Sequence, residues 1–96
     1  MNKYEIMFIV RPTLSLDEKQ NVIAKYIKVL TDNKATVTSE KDMGQRELAY
    51  EINDFKSGFY YLVTIEATDA TAINEFDRQA RNTQDIVRHL ITKIED

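Results

Sequence analysis

Residues 59–65 read Phe59-Tyr60-Tyr61-Leu62-Val63-Thr64-Ile65, a run dominated by aromatic and β-branched side chains. Such a run predicts a strand. Its alternate residues are apolar on both sides: Phe59, Tyr61, Val63 and Ile65 on one face, Tyr60 and Leu62 on the other. The opening run Tyr4-Glu5-Ile6-Met7-Phe8-Ile9-Val10 has the same character, with Ile6, Phe8 and Val10 set against Met7 and Ile9. An antiparallel sheet with one wet face normally alternates apolar and polar residues. These two strands do not, so both faces of the sheet carry apolar side chains there.

Outward from these strands, the punctuation divides the rest of the chain. Arg11-Pro12-Thr13 ends the first strand. Ser15-Leu16-Asp17-Glu18 has the spacing of a capping box, in which the Ser15 hydroxyl accepts from the Glu18 amide and Glu18 reaches back. Ile23, Tyr26, Ile27 and Leu30 follow at helical spacing, and Asn33 is expected to take the left-handed exit conformation. Ala35 to Met43 and Glu47 to Ile52 read as two halves of one long strand, with Gly44 marking a bulge or bend. Residues 53–58 read as a turn. Thr68-Asp69 is expected to cap a second helix with Ile73, Phe76 and Ala80 inward, closed by Asn82. Ile86 to Ile94 is the last strand. The order is β-α-β-β-α-β, so the expected fold class is α+β: a single ferredoxin-like domain over residues 1–96. Right-handed crossovers put both helices on one face of a four-stranded antiparallel sheet. The helix-free face then carries Met7, Ile9, Tyr60 and Leu62, an apolar patch suited to a protein partner.

Composition narrows the function. A chain of 96 residues with 43% hydrophobic content builds one modest core, with no room for a deep substrate cavity as well. Cysteine is absent, which excludes disulfides, thiolate metal sites and thiol nucleophiles. His89 is the single histidine; it has no ligand-like spacing to carboxylates and reads as a packed strand residue. No cofactor, metal or catalytic constellation is expected, and so no enzyme and no small-molecule substrate. Acylphosphatases share the chain order, but the loop Arg11-Pro12-Thr13-Leu14-Ser15 lacks the glycines of a phosphate cradle. The acid at Glu5 and the short apolar run that follows fit neither a signal peptide nor a membrane span, so a cytoplasmic location is expected.

The net charge of −3 has the wrong sign for a nucleic-acid binder acting alone. Any such binding needs a local basic patch or a basic partner. Lys56-Ser57-Gly58-Phe59-Tyr60-Tyr61 partly matches the RNA-recognition-motif pattern. Tyr60 is a possible stacking residue, but Met7 and Ile9 stand where its aromatic partner on the first strand would be.

Gly44-Gln45-Arg46-Glu47-Leu48-Ala49-Tyr50-Glu51-Ile52, followed by Gly58-Phe59-Tyr60-Tyr61, resembles the bacterial small-subunit ribosomal protein S6 family. The opening Tyr4-Glu5-Ile6-Met7-Phe8-Ile9-Val10-Arg11-Pro12 and the later Asp85-Ile86-Val87-Arg88-His89-Leu90 resemble it too. The chain departs from the family pattern at Met43, where an aromatic is common, at Glu47, where a second basic residue is common, and at Glu51, where proline is common. The resemblance implies a structural protein of the small-subunit platform that binds central-domain rRNA together with the basic ribosomal protein S18. A cationic partner would reconcile the acidic charge with an RNA site. Arg46, Lys56 and Arg88 are then the expected phosphate contacts, with Lys3 and Tyr50 at the same end. Met7, Ile9, Tyr60 and Leu62 are the expected protein contacts. The alternatives are a free-standing single-stranded RNA-binding module, or a small ferredoxin-like enzyme or ligand sensor.

Overall fold

The computed structural model describes residues 2–52 and 55–94. Its elements are β1 (Asn2–Val10), α1 (Leu16–Asp32), β2 (Thr36–Ile52), β3 (Phe55–Ala67), α2 (Thr71–Arg81) and β4 (Ile86–Ile94). They form one four-stranded sheet in the order β2-β3-β1-β4, with every neighbouring pair antiparallel. This is the expected ferredoxin-like arrangement, with β1 and β3 central.

The two apolar faces of the central strands are used differently. Ile6, Phe8, Val10, Val63 and Ile65 are fully buried and pack with Tyr26 and Leu30 of α1 and Phe76 of α2. Phe8 lies at the middle of an aromatic group: its ring centroid is 5.7 Å from Phe76 and 6.4 Å from Tyr26, and Tyr26 meets Phe76 edge-on at 5.5 Å. Such tilted pairs add about 0.5–1.5 kcal/mol each beyond the area they bury. His89 belongs to this side, its imidazole edge-on to Phe76 and 2.7 Å from the Asp77 carboxylate.

Local signals set the helix ends. The Glu18 amide donates to Ser15 Oγ at 3.2 Å and the Ser15 amide donates to Glu18 Oε1 at 3.1 Å, completing the capping box. At the other end of α1 the left-handed residue is Lys34, with φ 70°, and not Asn33. The Asn33 side-chain amide donates back to the Val29 carbonyl at 2.7 Å, which holds Asn33 near helical geometry and defers the reversal by one residue. Lys34 and Ala35 amides then donate to the Thr31 and Leu30 carbonyls, a Schellman closure with Leu30 and Ala35 both buried. At α2 the cap residue is Ala70, not Thr68 or Asp69; Asp69 instead accepts from the Thr71 amide at 2.9 Å. Asn82 closes this helix as expected. The turn expected over residues 53–58 also differs. Phe55 to Gly58 are already strand, and Asn53 and Asp54 lie outside the described residues.

β2 is the long bent strand anticipated from Gly44. Its pairing with β3 shifts between Asp42 and Gly44, and Gly44 has φ 77°. Asp42 Oδ1 accepts from the Gly44 amide at 2.9 Å, bridging the bulge. A second clip lies nearby: the Tyr61 hydroxyl donates to Glu40 Oε1 at 2.8 Å, and burial followed by this carboxylate pushes the phenol up to about 12.

Candidate functional site

The face without helices has its own cover. β2 and β4 are opposite edges of the sheet, separated by three strand spacings, roughly 14 Å. Yet the Arg88 guanidinium on β4 donates to the Tyr50 hydroxyl on β2 at 3.1 Å. Arg88 stands beside Ile9 in the β1–β4 register, so it shares the helix-free face with Ile9 and Met7. Gln45 to Glu47 stay paired with Phe59 to Ser57, so it is the end of β2 beyond Glu47 that reaches over that face.

Beneath it lies a concavity of about 240 Å³ lined by Met7, Ile9, Leu48, Tyr50, Tyr60, Arg88, His89 and Leu90. Of the four residues expected on an apolar docking patch, Met7, Tyr60 and Leu62 are half-buried. Ile9 differs from expectation: only 4% of it is exposed. Two causes are visible. The arched strand brings Leu48 and Tyr50 to the same concavity, and Gly58 leaves the room Ile9 fills. A Cβ on Gly58 would collide with Ile9 Cγ2 and come within 3.3 Å of the Val10 carbonyl.

Several cations are paired with carboxylates. Arg11 pairs with Asp85 at 2.9 Å, Lys19 with Asp42 at 3.0 Å, Arg81 with Asp77 at 3.1 Å, and Arg78 with Glu75. Arg78 and a second bond from Gln79 pull the Glu75 carboxyl down to about 2. Arg46, Lys56 and Arg88 have no carboxylate partner among the described residues, as is also true of Lys25, Lys28, Lys34, Lys41 and Lys93; what sets the three apart is their place at one end of the sheet. Arg46 is fixed by its own strand, donating to the Met43 carbonyl at 3.3 Å. It pairs in register with Gly58, two residues from Lys56, and so sits at the hairpin end of the sheet with Tyr50 and Arg88.

Lys3 does not join them. It faces Glu66 and Ile94 in register, with its ammonium 3.9 Å from Glu66, six residues along β1 from Ile9. That is about 20 Å from the hairpin end. An antiparallel chain direction already dictates this separation.

Leu48 and Leu90 were not among the expected partner residues. Leu90 is 54% exposed on the rim of the concavity. Its signal was the period of two along β4, which puts Leu90 on the same face as Arg88 and opposite Met7.

Tyr60 has no aromatic partner from β1 on this face: the β1 residues that share it are Lys3, Glu5, Met7 and Ile9. The paired platform of one aromatic on each central strand is therefore not built. Among the described residues no group of His, Asp or Glu could hold a metal ion. No helix among the described residues is long and apolar enough to cross a membrane.

Comparison with known proteins agrees with this fold. The family model described as Ribosomal protein S6 matches residues 3–93. The chain is similar to a 30S ribosomal protein S6 from Thermotoga maritima, at 28% identity and a TM-score of 0.91, over 97% of this chain and 87% of that one. It also resembles the C-terminal domain of the MgtC protein from Mycobacterium tuberculosis, at a TM-score of 0.65 over 99% of this chain and 89% of that one. At 9% identity that likeness concerns the fold alone. With nearly its whole length matched by one family model and its sheet superimposing on a member's, the chain belongs to the ribosomal protein S6 family.

Proposed function

We propose that this protein is a structural component of the small ribosomal subunit that binds central-domain rRNA together with ribosomal protein S18, in the cytoplasm, without catalysing a reaction. The observation that carries the reading is a juxtaposition at the hairpin end. Arg46, Lys56 and Arg88 lack carboxylate partners among the described residues, and they adjoin an apolar concavity bordered by exposed Leu90. Unpaired cations suit phosphates, while apolar concavities suit protein side chains. An acidic chain with net charge −3 gains RNA affinity most readily beside a basic partner.

In this reading Arg46, Lys56 and Arg88 contact phosphates, Tyr50 orients Arg88, and Met7, Tyr60, Leu62 and Leu90 meet S18. Lys3, at the far end, makes a separate contact. Leu90→Asp tests the protein side, because an exposed position tolerates the change. S18-dependent assembly should weaken by tenfold or more, roughly the effect of placing one unpaired charge in an interface core. Unchanged assembly would remove this face from the S18 contact.

A further inference from the structure

We infer that Tyr50 is a one-ring stacking platform for an unpaired nucleobase of the bound RNA, held in place by Arg88. The inference rests on the reading that the hairpin end binds rRNA, and it names the part of the RNA that this ring takes.

Among the described residues the exposed large apolar side chains are Leu16, Tyr50 and Leu90, and Tyr50 alone of these is aromatic. It is 64% exposed, which leaves much of the ring open to a ligand. Its hydroxyl accepts from the Arg88 guanidinium at 3.1 Å, so the far end of the side chain is tethered to β4. A tyrosine has only two side-chain torsions, and a ring held at both ends loses little further freedom when a base arrives. Behind the ring lies the concavity that Tyr50 shares with Met7, Leu48 and Tyr60.

The charges around the ring suit a nucleotide. Arg88 touches its hydroxyl, and Arg46 precedes it by four residues on β2, exposed and opposite Gly58. The nearby carboxylates Glu47 and Glu51 line a different concavity, with Lys56 and Ser57, to which Tyr50 does not contribute. An exposed ring beside cations is the combination that binds unpaired nucleotides: the base stacks and the cations hold the flanking phosphates. Every base offers a π-face, so the platform selects a loop, bulge or strand end over a duplex and reads no sequence.

A protein contact is the competing use of an exposed tyrosine. Here the hydroxyl, the polar handle an interface tyrosine brings, already has its partner in Arg88, and what remains free is ring. The exposed apolar rim that suits a protein lies further along β4, at Leu90 opposite Met7.

The chain contains no tryptophan, so Tyr50→Trp puts a single native-position reporter ring at the platform. Its indole fluorescence should be unchanged by S18 alone and quenched when a central-domain rRNA fragment is added to the pair. In parallel, Tyr50→Leu keeps an apolar side chain without a ring, and it should weaken RNA binding in the presence of S18 about tenfold or more, the effect of one lost base stack. Tyr50→Phe keeps the ring and should stay nearer to wild type than to Tyr50→Leu. Neither variant should change the salt slope, because stacking releases no counterions. Tyr50 lies outside the core, so these substitutions leave the fold's packing in place. Tyr50→Leu binding as tightly as wild type, or Tyr50→Phe binding as weakly as Tyr50→Leu, would overturn the platform. An indole signal that responds to S18 alone would overturn it too, and would assign the ring to the protein contact. Wild type that binds no rRNA at all would defeat the ribosomal reading and the inference with it, a result distinct from RNA binding that ignores Tyr50.

Discussion

The Lys19 ammonium on the first turn of α1 lies 3.0 Å from Asp42 Oδ2, and the other oxygen of the same carboxylate accepts from the Gly44 amide at 2.9 Å. One ion pair thus joins the helix layer to the bulge that directs the hairpin end of β2. Lys19 is 7% exposed, the one charged residue in the described core, and its ammonium also stands 4.6 Å from the centre of the Phe59 ring.

This linkage makes Asp42→Ala more damaging than an exposed carboxylate would suggest. It leaves a buried ammonium unpaired and removes the acceptor that bridges the bulge. A loss of about 1–3 kcal/mol is expected in urea unfolding. Lys19→Met keeps the stem against Phe59 and removes only the charge, so it should cost about 1 kcal/mol or less, given that Asp42 is half-exposed. Equal costs would mean that the carboxylate does not organise the bulge.

The same site predicts a pH dependence. The Gly44 amide and then Lys19 hold the Asp42 carboxyl below its ordinary 3.8. A depressed carboxyl stabilises the fold above the unfolded-state value and loses that contribution as pH falls through the folded-state value. The difference in unfolding free energy between wild type and Asp42→Ala should therefore be constant above about pH 5 and shrink below about pH 4. A difference that stays flat down to pH 2.5 would contradict the assignment.

The two glycines should respond to alanine for different reasons. Gly44→Ala meets no neighbour, and its cost is the left-handed backbone alone, about 1 kcal/mol. Gly58→Ala strikes Ile9 and should cost about 1–3 kcal/mol as overpacking. Ile9→Ala should offset part of the Gly58→Ala penalty and none of the Gly44→Ala penalty in a double-mutant cycle. Additive losses for Gly58 and Ile9 would show that they do not share space.

Much of this was legible before any coordinates. The β-α-β-β-α-β order with right-handed crossovers placed β1 and β3 in the middle of the sheet. Ser15 and Glu18 marked a helix start because a capping box is local, and Gly44 marked a bend because it separates two alternating half-strands. The misses depended on longer-range facts. Whether Asn33 or Lys34 turns left-handed is decided by where the Asn33 amide points. Ile9 appeared uncovered because its cover includes Tyr50, whose partner Arg88 is 38 residues away. Lys3 was a different kind of miss: strand direction alone sends it to the far end.

Arg46 and Arg78 form a matched pair for RNA binding. Arg46 is exposed at the hairpin end without a carboxylate, whereas Arg78 is tied to Glu75 on α2. Arg46→Ala should lower the salt dependence of assembly on rRNA by about one unit of slope, as for one lost phosphate contact, and Arg78→Ala should leave it unchanged. Identical slopes for wild type and Arg46→Ala would take Arg46 off the RNA surface.

The most direct test of the account is a titration of a central-domain rRNA fragment with this protein at two salt concentrations, with and without S18. The account predicts tight, salt-sensitive binding only when S18 is present. Equally tight binding by this chain alone, or no binding in either case, would contradict it.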